Sequence, residues 1–385
     1  MTKKLIRITT VPLALRYLLP GQMRFMKENG FNVIMISADG PERSKVIEAE
    51  GCPHIIVPMT RKITPFKDLQ CLLQLVRIFK KERPDIVHSH TPKAGLLGML
   101  AAKLSGVKIR VHTLAGIPFV TRKGFKFYLL KFMERLTYAS ANHVWPNSNS
   151  LYQYITKEQL ADKNKLKVIS RGSSNGVNLQ RFSKKSLDEN IKNECKRKIN
   201  FDPNYFYLLF VGRLVYDKGI VELINVFKEL EKKYTRIRLL LVGRYEPELD
   251  PLPESTLHEI NNNGSVIHVN WTEKAEYYLD IGDCFIFPSH REGFPNVLLQ
   301  AGAMELPVIC SDIPGNIDLV EHNKTGLLFR QGDEEDMSRS VEFALSHVEE
   351  MKVMADNLFQ MITINYKRED VWKNLLHEYQ TLLNS

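Results

Sequence analysis

The chain has 385 residues, 44% hydrophobic and 25% charged, the profile of a globular protein with room for about two to three domains. Disordered, collagen-like and single mini-domain chains are excluded. The net charge of +9 hides a split, because residues 1–200 hold 36 Lys+Arg against 14 Asp+Glu, whereas residues 201–385 hold 17 against 30.

A basic half joined to an acidic half points to two domains with different partners, the basic one facing something anionic. In the N-terminal stretch MTKKLIRITTVPLALRYLLPGQ, Arg7 and Arg16 interrupt the apolar residues and no small-residue cleavage site follows, so no signal peptide is expected. No apolar run approaches the roughly 18 residues of a membrane span, which leaves attachment to a membrane surface open. The five cysteines, Cys52, Cys71, Cys195, Cys284 and Cys310, contain no C-x-x-C pair and read as reduced structural thiols of a cytosolic protein.

Short β-branched runs alternate with amphipathic stretches through the first half. The strand expected at 5–10 is followed by LLPGQ, where Gly21 lets backbone approach a phosphate. Strands at 33–37 and 54–58 precede a helical stretch at 66–83. The strand at 85–90 ends in HSHTPKAG, a helix follows at 92–104, and the strand at 108–113 leads into HTLAG, so His88, His90, Lys93 and His112 are expected at one rim of the basic domain. Residues 121–139, TRKGFKFYLLKFMERLTYA, mix Arg122, Lys123, Lys126, Lys131 and Arg135 with Phe125, Tyr128 and Phe132. Such a helix suits an anionic lipid surface, or equally an ordinary sheet-covering helix. Strands at 143–148 and 166–170 complete one parallel α/β sheet.

After a Lys-rich stretch at 183–200 the rhythm restarts, with strands expected at 207–214, 238–244, 265–271, 283–289 and 306–311. Two tandem α/β domains fit better than one large sheet. Open α/β sheets bind ligands at the carboxyl ends of their strands. GRLVYDKG (212–219) places Arg213 and Lys218 just before a helix near Ile220, a natural anion site. Downstream, Glu292 sits in a turn with Gly293 and Pro295, where the amides of Phe294, Asn296 and Val297 point at a ligand before a helix, and Gln300 returns towards the same place. No D-x-D is present, so phosphate charge falls to Arg213, Lys218 and helix ends, with no metal or other cofactor expected. The last helical stretch, 369–383, closes the second domain or docks back on the first.

These motifs, in this order and over nearly the whole chain, resemble the family-4 retaining glycosyltransferases, whose GT-B fold sets two Rossmann-like doubly wound parallel-sheet domains facing across a cleft. GRLVYDKG resembles the family's G-R-x-K-G diphosphate motif, EGFPNVLLQ (292–300) its E-x7-E element, and SSNGVNLQRF (173–182) its N-G-V-D-x-x-x-F junction; HTPKAGLLGMLAAKLSGV (90–107) resembles members that build capsule, O-antigen or exopolysaccharide units. The resemblance implies an acceptor domain at 1–180, a nucleotide-sugar domain at 181–368 and a C-terminal helix at 369–385 docking on the first. It implies a donor site of Gly21, Arg213, Lys218, Glu292, Gly293, Phe294, Pro295, Asn296, Val297 and Gln300, and acceptor contacts from His90 and Lys93. Gln300 replaces the family's second acid, and Thr113-Leu114-Ala115-Gly116 lacks the His of T-x-H-G, for which His112 is the candidate substitute.

The implied activity is transfer of a hexosyl or N-acetylhexosaminyl group from a UDP-linked nucleotide-sugar to a lipid-diphosphate-linked saccharide, on the inner face of the cell membrane. Arg213, Lys218, Glu292 and His112 would be the catalytic set. An epimerase of the same architecture and a non-catalytic nucleotide-sugar binder are the alternatives. Nucleic acid is not an expected partner, because no recognition motif accompanies the basic charge.

Overall fold

The alternation of strand-like and helical stretches resolves into two parallel sheets in the computed structural model, which describes residues 2–117, 119–120 and 123–384. The first unit takes Met1–Asn175 and Glu369–Ser385, the second Gly176–Arg368.

In the first unit the chain runs β1 (Lys3–Ile8), α1 (Pro12–Leu18), α2 (Gln22–Glu28), β2 (Phe31–Ser37), α3 (Arg43–Glu50), β3 (His54–Ile56), α4 (Pro65–Glu82), β4 (Ile86–His90), α5 (Pro92–Leu104), β5 (Ile109–Leu114), α6 (Gly124–Ser140), β6 (His143–Pro146) and α7 (Asn149–Lys157). The strand order is β3-β2-β1-β4-β5-β6, all parallel. The strands are near-continuous apolar runs because helices cover both faces of such a sheet. Buried polar residues interrupt these runs, among them Arg7 of β1, a guanidinium only 1% exposed, His88 and His90 of β4, and His112 and Thr113 of β5.

The second unit begins with α8 (Glu189–Lys198), its first turn capped by the Asp188 carboxylate accepting from the amides of Asn190 and Ile191. It continues through β7 (Phe206–Val211), α9 (Ile220–Lys233), β8 (Ile237–Val242), α10 (Glu254–Asn262), β9 (Val266–Val269), α11 (Ala275–Ile281), β10 (Cys284–Phe287), α12 (Asn296–Ala303), β11 (Val308–Ser311), β12 (Leu327–Phe329), α13 (Glu334–Ser346) and α14 (Val348–Asn365). Its sheet, β9-β8-β7-β10-β11-β12, repeats the order of the first. In each, strand order reverses between the first and fourth strands, β1/β4 and β7/β10, which is where doubly wound sheets open a ligand crevice.

The final helix, α15 (Arg368–Asn384), lays Val371, Leu375 and Tyr379 into the core of the first unit. Arg7 donates to the Tyr379 hydroxyl, which also meets His88 Nδ1, and Trp372 Nε1 donates to Asn175 Oδ1 at 2.6 Å.

Three details depart from the sequence reading. Residues 166–170 form no strand, only an isolated bridge between Leu166 and Val144, and Ser170 turns the chain at φ 55°. The three-residue β12 is too short to show a period and was not expected. The Lys-rich stretch belongs to the second unit as α8, so by unit the charges are 30 Lys+Arg against 14 Asp+Glu and 23 against 30, a narrower asymmetry than the halves suggest.

Candidate functional site

The crevice between β7 and β10 collects the motif residues of the second unit. Past β7, the single turn Tyr216–Lys218 ends at Gly219, with φ 70° at the start of α9. A Cβ there would lie 2.0 Å from the Pro288 carbonyl oxygen just past β10, so only glycine lets the two loops touch. That contact sets Lys218 against Glu292. Their side chains form an ion pair, 15% and 14% exposed, with the ammonium 5.2 Å above the Phe287 ring. Burial pushes the Lys218 pKa down, Glu292 pulls it up, and nearby Arg213 and Arg291 push it down again. Three cations therefore converge on one place.

Each cation has a carboxylate partner: Glu246 meets exposed Arg213 at 2.8 Å, and Asp217 meets Arg291 at 2.8 Å. An anion entering here would have to exchange with these acids. Asp217, Glu246 and Arg291 were not singled out in the sequence, although Asp217 and Arg291 each neighbour a motif residue. The adjoining His290 lies 3.0 Å from Glu222 of α9 and stacks on Tyr216, and its bond to that carboxylate raises its pKa.

Buried Ser289 ties the loop after β10 down, donating to carbonyl oxygens of Asp217 and Arg291, while Ser311 donates to the Ser289 carbonyl. Gly293 and Pro295 are buried in this loop, and the Phe294 ring packs on Tyr366 at 5.2 Å. Pro295 starts α12 without a side-chain cap. Asn296, Val297 and Gln300 share the partly exposed face of that helix, while Leu298, Leu299 and Ala301 are buried. Gln300 thus stands on the same face as the uncapped first turn, as its spacing implies.

The residues expected at one rim of the first unit divide between the two faces of its sheet. His88 and His90 stack, ring centroids 4.3 Å apart, and His88 Nε2 lies 2.6 Å from Thr113 Oγ1. His112 points to the opposite face, as strand alternation requires. It is 2% exposed, bonded to Ser89 at 2.9 Å and pressed against Gly95 of α5, and burial lowers its pKa to about 4. The expectation that His112 shares a rim with His88 and His90 is corrected, and with it the substitute role: the ring is packed beneath a helix. Lys93 is also committed elsewhere, paired with Asp68 at 2.7 Å and donating to the Lys62 carbonyl. Gly21, with φ 81°, starts α2, and its amide donates to Glu50 at 2.6 Å, so a carboxylate from α3 occupies that amide.

Residues 191–361 match the family described as glycosyl transferases group 1, and residues 12–148 match glycosyl transferase 4-like. The capsular polysaccharide biosynthesis glycosyltransferase CapM of Staphylococcus aureus is 34% identical over 381 residues, 99% of this chain and 98% of that protein. An Escherichia coli UDP-Gal:alpha-D-GlcNAc-diphosphoundecaprenol alpha-1,3-galactosyltransferase is 28% identical over 320 residues, 81% and 79% of the two chains. Among solved structures, Anabaena HepE in complex with UDP and glucose superposes with a TM-score of 0.81 at 15% identity, covering 98% and 100%.

Proposed function

The chain belongs to the group 1 glycosyltransferases, and from that premise we propose that it moves a sugar from a UDP-linked donor to a lipid-diphosphate-linked saccharide, with retention at the anomeric carbon. The E. coli relative is named for a transfer of this kind. The observation that carries the reading is the convergence of Lys218, Arg213 and Arg291 with Glu292 in the β7/β10 crevice beside α12.

In this reading the bond from the anomeric carbon to the diphosphate oxygen breaks as the acceptor oxygen bonds to that carbon, and the acceptor proton passes to the departing diphosphate. Lys218 and Arg213 hold the charge that develops there, and the first amides of α12 add theirs. Glu292 exchanges Lys218 for hydroxyls of the donated sugar, and Gln300 offers ribose a neutral hydrogen bond. Positioning and fixed charge supply the catalysis, and no metal is required.

The acceptor's lipid places the enzyme at the inner face of the cell membrane. Two helices flanking α5 support this. Phe125, Tyr128 and Phe132 form an outward stripe on α6, and Phe66, Leu69 and Leu73 form another at the same spacing on α4. Lys67, Lys123, Lys126 and Arg135 are exposed beside them, whereas Arg122 lies outside the described residues. Apolar stripes edged by basic residues suit an anionic bilayer surface, at about 1 kcal/mol per basic residue near it. No helix among the described residues is long and apolar enough to cross a membrane.

Incubating the protein with UDP-sugars and undecaprenyl-diphosphate-linked saccharides tests the whole reading. Transfer with retained anomeric configuration is the expected result. A new UDP-sugar formed without acceptor would make it an epimerase.

A further inference from the structure

Outside the β7/β10 crevice, a cavity of about 30 Å³ opens in the first unit at the carboxyl ends of β4, β5 and β6, room for roughly two water-sized groups. Two polar atoms of its lining residues have no hydrogen-bond partner among the described residues: His90 Nε2 and Asn147 Oδ1, on residues 4% and 5% exposed. Buried atoms of this kind are costly to leave unmatched. Asn147 directs its amide N–H to Ser174 Oγ at 3.3 Å, which fixes the carbonyl end of the side chain.

A chain of bonds sets the polarity of a third lining group, Thr113. Arg7 donates to the Tyr379 hydroxyl and to Gln22 Oε1. Tyr379, having accepted, passes its own proton towards His88 Nδ1. A neutral imidazole that accepts at Nδ1 carries its hydrogen on Nε2, and His88 Nε2 faces Thr113 Oγ1 at 2.6 Å. Burial and the neighbouring charges keep His88 neutral. Thr113 therefore accepts from His88 and has its own hydrogen to give.

The cavity thus offers a donor on Thr113, an acceptor on Asn147 and a ring nitrogen on His90 able to serve as either. An anion would meet the Asn147 carbonyl oxygen, and an ammonium would meet the Thr113 hydrogen with Arg7 behind it. A hydroxyl satisfies both sides with one atom, and Trp145 and Leu375 line the wall for the C–H surface beside it. We propose that this cavity is a subsite for one hydroxyl of a carbohydrate acceptor, held by Thr113, His90 and Asn147, with His88 as the residue that orients Thr113. The assignment of carbohydrate rests on the glycosyltransferase reading above.

The full chain, with 15N-labelled histidine rings, is titrated with the methyl α-glycosides of glucose, galactose, N-acetylglucosamine and N-acetylgalactosamine, followed by NMR. At least one glycoside is expected to shift the His90 Nε2 resonance, and removing one of its hydroxyls to weaken that binding roughly tenfold. Asn147→Leu abolishes the difference between parent and deoxy sugar. The proposal is overturned if no glycoside moves His90, or if every monodeoxy analogue binds like its parent; both readouts use the unmutated chain. UDP-dependent thermal stabilisation tests the donor reading separately: its absence alongside a hydroxyl-dependent His90 shift would overturn the donor site and keep this one.

Discussion

Lys218 and Glu292, 74 residues apart in sequence, form a mostly buried ion pair at the mouth of the β7/β10 crevice. The pair places two opposite duties on one contact: Lys218 must turn to the diphosphate, and Glu292 to the sugar. Glu292→Gln separates them. UDP affinity, read by calorimetry, should hold or improve because the competing acid is gone, while sugar transfer falls about 10²-fold. Loss of UDP affinity in this variant would contradict the assignment.

Arg213 is exposed and paired only at its tip, so Arg213→Ala leaves the fold intact. Its turnover is expected to drop about 10²-fold as charge stabilisation is lost. Lys218→Ala should match it in turnover and also lower the melting temperature, since it leaves Glu292 without its buried partner. Near-normal turnover in both variants would remove the phosphate role.

Because Arg213, Lys218 and helix amides carry the phosphate charge in this reading, EDTA should leave initial rates unchanged. A rate abolished by EDTA and restored by a divalent cation would refute that part.

Glu134, on the buried side of α6, has its pKa raised by burial to about 7 from an ordinary value of 4.5. The folded state therefore keeps a proton that the unfolded chain releases between about pH 4.5 and 7, and stability declines as pH rises through that window. Glu134→Gln should melt higher than the unmutated protein at pH 8, by about 1–3 kcal/mol in stability, with the gap closing near pH 4.5. Parallel melting curves across that range would show that Glu134 is ionised in the fold.

On the outer side of the same helix, Phe125→Ser with Phe132→Ser, combined with Phe66→Ser on α4, should abolish co-sedimentation with anionic liposomes. Melting temperature should change little, because these rings are mostly exposed. Salt should weaken binding of the unmutated protein. Binding unchanged by the triple substitution would disprove the docking surface.

Much of the candidate site was legible because its residues sit in short, contiguous motifs. GRLVYDKG and EGFPNVLLQ each join a strand end to a helix start, so their chemistry and their place on the sheet are written together. The rim of the first unit was less legible. Strand alternation alone already turns His112 away from Thr113, but which face lies under α5 depends on how the helices pack. Lys93 looked available until Asp68, 25 residues earlier, came beside it.

By itself the sequence determined the two α/β halves, their chain order and the loops that follow β7 and β10, since strand and helix periods and glycine-rich turns are local properties. Tertiary structure decided the partners. It paired each site cation with an acid, buried His112, and seated α15 so that Tyr379 meets an arginine 372 residues away. Such contacts join segments with no local signal for one another, and burial, which governs whether a side chain is a ligand, a prop or a charge held in check, exists only after those segments pack.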